Sequence, residues 1–152
     1  MRLLFIDFDG VCHPATPDLE ANARFQWLPT LAQLLAPWPD VRIAVHSTWR
    51  YDHSDAELAS LLGPLGSRYV GSVPRGARED SILWFLHMVP GKDHSYRVLD
   101  DAAVEFNELS APQLILCDPL LGVSATNVQE QLRAWLEVES VEAADADRAR
   151  AR

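Results

Sequence analysis

Residues 2–13 read Arg-Leu-Leu-Phe-Ile-Asp-Phe-Asp-Gly-Val-Cys-His and give the strongest indication of the fold. Residues 3–6 are apolar without helical periodicity, which is typical of a strand buried on both faces. Asp7 and Asp9 follow where this strand should end, and Gly10 permits a sharp turn after them. Like charges beside a buried strand are costly unless a cation neutralises them, and Mg²⁺ prefers carboxylate oxygens. The pattern predicts either a Mg²⁺ site at the strand end or a solvated turn.

The size and charge of the chain limit the possible functions. Its 152 residues, 48% hydrophobic and 23% charged, fit one globular domain. The net charge of −9 argues against a broad surface that tracks nucleic-acid phosphates, although it allows one terminal phosphate to bind at a metal site. Cys12 and Cys117 adjoin apolar runs, so we expect buried, reduced thiols and a cytoplasmic protein. Because Asp7 and Asp9 interrupt the first apolar stretch, we expect no signal peptide. Because no apolar run reaches about 20 residues, we also expect no membrane span.

Strand-like and helix-like segments alternate along the rest of the chain. We predict further strands over residues 41–45, 68–70, 96–99 and 113–117, and helices over residues 28–35, 55–62, 77–88, 103–108 and 126–136. Ser54 or Asp55 is the expected cap of the second helix. Five alternations predict an α/β protein with a three-layer αβα Rossmann-like fold, in which helices cover both faces of a five-stranded parallel sheet.

The domain organisation follows from the connections. The segments after the first and third strands are too short for a large cap, although residues 18–27 could form a flap. We therefore expect one domain over residues 1–138. Residues 139–152 lack apolar periodicity, so we expect an exposed charged tail, either a frayed helix or disordered. Four tryptophans are expected in the core or at an interface: Trp27, Trp38, Trp84 and Trp135.

Three of the predicted strands end in polar pairs. The pairs are Asp7 with Asp9, Ser47 with Thr48, and Asp100 with Asp101. The carboxyl ends of parallel strands meet at one edge of the sheet, where ligands bind. We therefore expect the carboxylates of Asp7, Asp9 and Asp101 to converge on one cation-sized gap. A basic side chain that permanently filled this gap would argue against an enzyme.

These motifs resemble those of the haloacid dehalogenase-like (HAD) phosphohydrolase superfamily. Residues 3–11 resemble its first motif, residues 43–48 its second, and residues 98–101 its fourth. More narrowly, Asp-Gly-Val-x-His-Pro at residues 9–14 and Ser-x-Trp-Arg at residues 47–50 resemble the HAD domain of multi-activity RNA repair proteins. The resemblance implies a capless, Mg²⁺-dependent phosphatase.

The resemblance also implies roles for the strand-end residues. Asp7 would attack phosphorus to form an aspartyl-phosphate, and Asp9 would protonate the leaving oxygen and then activate water. Mg²⁺ would be held by an Asp7 oxygen, the backbone carbonyl of Asp9 and one acid of the fourth motif. Asp101 is our choice for that direct ligand, with Asp100 supporting it without contacting the ion, and the opposite assignment stays open. Ser47, or alternatively Thr48, would bond a phosphoryl oxygen.

The superfamily also places a Lys or Arg at the start of a helix to neutralise the phosphoryl group. The only lysine, Lys92, lies beyond the third helix. We therefore predict that Arg78 has this role, with Arg75 as the alternative, because an arginine can hold a phosphate with two bonds. The structural alternative for Arg78 is a surface cation near Glu79 and Asp80.

Several neighbours are candidate substrate contacts: Gly10, His13, Thr48 and Arg50. Arg50 would bind a substrate phosphate or ribose, or else pair with Asp52. His13 would contact the leaving group or line the entrance, or else be an ordinary loop histidine. Trp49 would stack on a base, or else pack beneath the second strand. His46 is expected to be structural and to point away from Ser47.

We therefore expect a phosphatase whose phosphorylated substrate is a nucleotide, a nucleic-acid end or a phosphoprotein, because an open site admits large substrates. One alternative is a catalytically degenerate relative that only binds a partner, which the missing lysine favours. Another is a receiver-like signalling domain, which also gathers acids around Mg²⁺ on a parallel sheet. Receivers, however, place the accepting Asp after a later strand and a Lys after the last.

Overall fold

Five strands form the centre of the fold: β1 (Arg2–Ile6), β2 (Val41–Val45), β3 (Tyr69–Ser72), β4 (Ser95–Asp100) and β5 (Leu114–Leu116). They make one parallel sheet in the order β3-β2-β1-β4-β5. The structure is a computed structural model that describes residues 1–91, 94–109 and 112–152, without the side chains of residues 139–141 and 143. Lys92 lies outside the described residues. The predicted parallel α/β sheet is confirmed.

Four α-helices accompany the sheet in the described residues: α1 (Leu28–Leu35), α2 (Asp55–Leu61), α3 (Arg78–Met88) and α4 (Thr126–Arg150). Ser54 caps α2 as predicted, since its side chain accepts from the amide of Glu57 while Glu57 bonds back to Ser54. None of the described helices combines the length and the apolar character that crossing a bilayer requires.

Each face of the sheet has its own apolar core, because side chains alternate along the strands. Leu4 and Ile6 of β1 pack in a core that includes residues of α1, α2 and α4. Leu3 and Phe5 point to the other face, where Ile82 of α3 covers them. The ladder continues one residue beyond β1, since the amide of residue 7 bonds the carbonyl of residue 99. The backbone of Asp7 is therefore fixed to β4 just beyond the end of β1.

Some predicted elements differ from the structure. The last helix does not end at residue 136 but continues to Arg150. Its later residues include Ala, Glu and Arg, which favour helix without an apolar face. The predicted helix over residues 103–108 is only the 3₁₀ turn Ala103–Glu105. Trp84 is 53% exposed on α3, so a place in the core is wrong for it, and a place at an interface stays a prediction.

Candidate active site

Three acids converge at the carboxyl edge of the sheet. Asp7 follows β1, Asp100 ends β4 and Asp101 comes directly after it. One carboxylate oxygen from each lies within 4.8 Å of the other two. Asp7 and Asp100 are buried, at 2% and 0% exposure, while Asp101 is partly exposed. The central position of β1 between β2 and β4 brings these motifs together, as a doubly wound sheet does at its ligand-binding edge.

Arg78, the first residue of α3, joins two of these acids. Its Nη1 donates to Oδ2 of Asp7 at 3.0 Å and to both oxygens of Asp100 at 3.0 and 2.9 Å. Burial would lower the pKa of Arg78, but Asp7 and Asp100 outweigh this and raise it, so the guanidinium stays charged. Arg78 is therefore not the surface cation of the structural alternative.

Glu79, which follows Arg78, turns to a different part of the chain. Its carboxylate is buried and accepts from the backbone amides of residues 107, 108 and 109. Burial would raise the pKa of Glu79, but these three bonds outweigh burial and lower it. Glu79 therefore ties the start of α3 to the loop after β4, which holds Arg78 close to Asp100.

His46 has the structural role that we expected, and the residue that it supports is an acid of the site. Its Nε2 lies 2.7 Å from Oδ2 of Asp100, and both side chains are fully buried. Its Nδ1 has no hydrogen-bond partner among the described residues. Ala44 of β2 and Val98 of β4 pack in the same core, on the face that α3 covers. Residues two apart in a strand share a face, so alternation would have placed His46 and Asp100 on that face as well.

The three acids differ in how far neighbouring positive charge offsets their own negative charge. Burial would raise the pKa of Asp100, but His46 and Arg78 outweigh burial and lower it. Burial raises the pKa of Asp7, and the charge of Asp100 adds to this. Burial and the charges of Asp7 and Asp100 raise the pKa of Asp101 to about 6. The described contacts of Arg78 are to Asp7 and Asp100 and include no hydrogen bond to Asp101, so the Asp101 side of the gap has no arginine bonded to it.

The turn after β1 is shaped around Asp101. Gly10 has φ +76°, and a Cβ atom there would lie 2.2 Å from Oδ2 of Asp101. Only glycine combines this backbone conformation with so close an approach. The amide of Gly10 donates to the carbonyl of His13. Gly10 leaves the space that the Asp101 carboxylate occupies, and its role as a substrate contact stays a prediction. Three clustered carboxylates in such a cradle are a donor set that fits Mg²⁺.

Asp9 does not join the three-acid cluster, which corrects our expectation that its carboxylate converges with those of Asp7 and Asp101. The Asp9 side chain is 52% exposed, and its Oδ1 lies 2.8 Å from Nε2 of His13. Its Oδ2 accepts from Nε1 of Trp49 at 3.0 Å. Asp9 is therefore held beside the cluster by two ring N–H groups, with an open side facing solvent.

The tautomer of His13 follows from its other contact. The backbone amide of Phe25 donates to Nδ1 of His13 at 3.1 Å, so this nitrogen carries a lone pair. Nε2 then carries the proton and donates it to Asp9. His13 is 1% exposed and packs against the rings of Phe25 and Trp49, which excludes lining the entrance, one of its alternative roles. His13 therefore holds the Asp9 carboxylate from the buried side.

The residues after β2 divide between the interior and the surface. Ser47 is fully buried, and its hydroxyl accepts from the amide of Trp49. Thr48 is exposed. The role of Ser47 toward a phosphoryl oxygen stays a prediction.

Arg50 donates to the backbone carbonyls of residues 46, 47, 74 and 76. This corrects both interpretations of Arg50, as a substrate ligand and as a partner of Asp52. It fastens the end of β2 to the loop before α3. Arg75 stays outside the acid cluster, since it donates to the carbonyl of Tyr51 and lies over that ring at 4.6 Å.

The parallel sheet, the acids after β1 and β4 and the arginine at the start of α3 define a domain of the HAD type. Residues 3–128 match the family described as the HAD domain in Swiss Army Knife RNA repair proteins, and the chain belongs to this family. No curated protein and no solved structure is significantly similar to the chain. The family match displaces the receiver-like alternative.

Proposed function

We propose that the chain is a Mg²⁺-dependent phosphatase that hydrolyses a phosphomonoester at a nucleotide or nucleic-acid end. The observation that carries this proposal is the convergence of Asp7, Asp100 and Asp101, with Arg78 bonded to two of them, in a chain of the HAD family. Such a set can position a phosphoryl group between a nucleophile and compensating positive charge.

Mg²⁺ would be held by Asp7, Asp101 and the backbone carbonyl of Asp9. Asp100 is already bonded to His46, Arg78 and the amide of Ala102, which favours Asp101 as the direct ligand. When bound, the ion offsets the negative charge of the carboxylates and of the phosphoryl oxygens. Asp100 then acts by holding Arg78 in place.

The reaction would proceed in two displacements. An Asp7 oxygen attacks phosphorus, and the bond from phosphorus to the leaving oxygen breaks while Asp9 donates its proton to that oxygen. Asp9, now ionised, takes a proton from water as the water attacks the aspartyl-phosphate. Inorganic phosphate leaves, and both Asp7 and Asp9 return to their first states.

Arg78 would bind the phosphoryl group during both displacements. Its three hydrogen bonds to Asp7 and Asp100 all start from Nη1, which leaves the other guanidinium nitrogens for a phosphate oxygen. The same bonds aim the Asp7 carboxylate, because Oδ1 accepts from the amide of Phe8 while Oδ2 accepts from Arg78. Arg78 thus takes the part that the missing lysine would play.

The proposed substrate class rests on two observations. The segment from the end of β1 to α1 contains only the short 3₁₀ turn Ala21–Ala23, and few residues separate β3 from α3. In the part of the chain that the structure describes, nothing the size of a cap domain therefore covers the site. The family description names RNA repair proteins. We also propose a reducing, cytoplasmic location, since Cys12 and Cys117 are buried free thiols.

The test compares hydrolysis of 4-nitrophenyl phosphate with that of 5′- and 3′-phosphorylated oligonucleotides, in Mg²⁺ or in chelator. Wild type should release phosphate from at least one oligonucleotide only with Mg²⁺, and Asp7→Asn should abolish release. Asp9→Asn should slow the formation or breakdown of the covalent intermediate. Rapid turnover of a small metabolite with none of the oligonucleotides would remove the nucleic-acid assignment. No turnover on any substrate would favour the alternative of a binding module.

A further inference from the structure

An open cleft lies outside the three-acid cluster, and one of its lining residues, Trp49, bonds to Asp9. It has a volume of about 350 Å³ and is lined by Arg24, Thr48, Trp49, Asp52 and His53. This volume is within the range of small-ligand sites, about 300–1,000 Å³. We call these five residues the Trp49 cleft.

Trp49 connects this cleft to the reaction proposed above. One edge of its indole donates from Nε1 to Oδ2 of Asp9 at 3.0 Å, while the ring lines the cleft. Asp9 is the group that would protonate the leaving oxygen. The organic part of the ester must therefore lie near Asp9, where the Trp49 cleft is open to receive it.

The walls of the cleft combine two aromatic rings with an arginine and two polar side chains. Trp49 and His53 stack with their ring centres 5.4 Å apart and an interplanar angle of 20°. Nδ1 of His53 donates to the carbonyl of Trp49 at 2.9 Å, which holds this pair together. The Cζ atom of Arg24 lies 6.0 Å from the centre of the Trp49 ring. An aromatic wall beside an arginine is the combination that binds bases and backbone phosphates of single strands.

We propose that the Trp49 cleft is the leaving-group subsite, which takes the terminal nucleoside of a phosphorylated strand, with Arg24 toward the next backbone phosphate. The proposal rests on the proposed function and adds the position of the substrate to it. Thr48 and Asp52 supply a hydroxyl and a carboxylate for the polar edge of the nucleoside. The occupant contacts the same indole that orients Asp9, so binding of the correct leaving group also fixes the acid.

A second groove offers the competing position. It has a volume of about 540 Å³ and lies over α3, where Arg75, Trp84 and Met88 line it. Arg75 is tied to Tyr51, and none of these three residues bonds to Asp9 or to the three-acid cluster among the described contacts. Arg75→Ala is therefore a matched control for Arg24→Ala, because each variant removes one arginine from a cleft near the site.

The first experiment measures kcat/KM for 4-nitrophenyl phosphate and for a phosphorylated tetranucleotide. Arg24→Ala should lower the tetranucleotide value about tenfold more than the aryl phosphate value, since a lost charge-assisted contact of this kind weakens binding by about that factor. Arg75→Ala should match wild type on both. Equal losses on both substrates in Arg24→Ala, or a selective loss in Arg75→Ala, would overturn the assignment.

The second experiment measures binding without turnover, by fluorescence anisotropy of a labelled, phosphorylated tetranucleotide on Asp7→Asn protein. Adding Arg24→Ala or Trp49→Leu should raise Kd about tenfold, whereas Trp49→Phe, which keeps a ring, should stay within about threefold. Unchanged Kd in Arg24→Ala and Trp49→Leu would refute the subsite. If the wild type hydrolyses nothing while these Kd values rise, the proposed phosphatase fails and the Trp49 cleft stands as a nucleotide site.

Discussion

His46 and Asp100 are joined by a hydrogen bond of 2.7 Å between Nε2 and Oδ2, and neither side chain has any exposed surface. Asp100 ends β4, and His46 follows β2 on the same face of the sheet. The bond therefore crosses behind β1, which lies between these two strands. It supports the acid that holds Arg78 against Asp7.

Loss of this bond should destabilise the fold. His46→Ala leaves a buried carboxylate without one of its partners, so we expect the free energy of unfolding to fall by about 2–3 kcal/mol. Urea denaturation measures this directly. His87→Ala changes an exposed histidine of α3 and should stay within about 0.5 kcal/mol of wild type. A similarly small change in His46→Ala would show that Asp100 does not depend on it.

The ionisation of Asp101 should couple stability to pH and to Mg²⁺. Its pKa is raised from 3.8 to about 6, so the folded state binds this proton more tightly than the unfolded state. Without Mg²⁺, Asp101 therefore stabilises the fold fully below about pH 4, and this contribution is lost as the pH rises through about 6. With saturating Mg²⁺ the ionised form is the bound form, and the contribution changes sign.

Thermal melts between pH 4 and pH 7, with Mg²⁺ or with chelator, test this coupling. The difference in melting temperature between Asp101→Asn and wild type isolates the group from its neighbours. In chelator, wild type should lose stability relative to Asp101→Asn as the pH rises, and in Mg²⁺ it should gain. Parallel profiles under both conditions would mean that Asp101 neither titrates in this range nor binds the ion.

The approach of Gly10 to Asp101 predicts a defect that differs from ordinary backbone strain. Gly10→Ala forces a Cβ atom into the Asp101 carboxylate, and it also places alanine at φ +76°. We expect a loss of about 1–2 kcal/mol from the left-handed conformation alone, together with much weaker Mg²⁺ binding. Isothermal titration calorimetry measures the second effect.

Gly63→Ala provides the matched control for this variant. Gly63 also has positive φ, at +51°, but an added Cβ meets nothing within 4 Å. It should show the backbone cost without any change in Mg²⁺ affinity. If both variants bind Mg²⁺ like wild type, Asp101 does not need the space beside Gly10, and the proposed cradle is wrong.

The sequence was informative where one physical rule dominates. The apolar run at residues 3–6 predicted β1, the largely apolar stretch at residues 41–45 predicted β2, and the polar residues after them predicted which edge carries the site. The bounds of α1 were predicted in full, because Pro29 and the leucine spacing agree there. Alternation along β2 would also have found His46, but a histidine beside Ser47 gave no local sign that Asp100 is its partner.

Other features depend on contacts that no local pattern contains. Asp9 is two residues from Asp7, so a strand continued past Ile6 would point both side chains the same way. The turn at Gly10 ends that regularity, and Asp9 instead meets His13 and Trp49. Arg50 has the chemistry of a phosphate ligand, yet nearby carbonyls use its guanidinium. The partners of Asp9 and Arg50 are therefore set by tertiary contacts, which the local sequence does not contain.

Substitutions at Arg78 and Arg75 should differ sharply in their effects on turnover and on phosphate binding. Arg78→Ala removes the cation between Asp7 and Asp100, so we expect kcat/KM to fall about 100-fold, as when a preorganised donor to a transition state is lost. Arg78→Lys keeps the charge without the planar fork, and it should lie between Arg78→Ala and wild type. Binding of orthovanadate, a phosphate analogue, should weaken in the same order, and circular dichroism checks that each variant is folded.

Arg75→Ala is the control, and it should resemble wild type in every measurement, because the Arg75 guanidinium contacts Tyr51. If Arg75→Ala alone lost vanadate affinity and turnover, the phosphate would lie over Tyr51, and the acid cluster at Asp7 would not be the reacting centre.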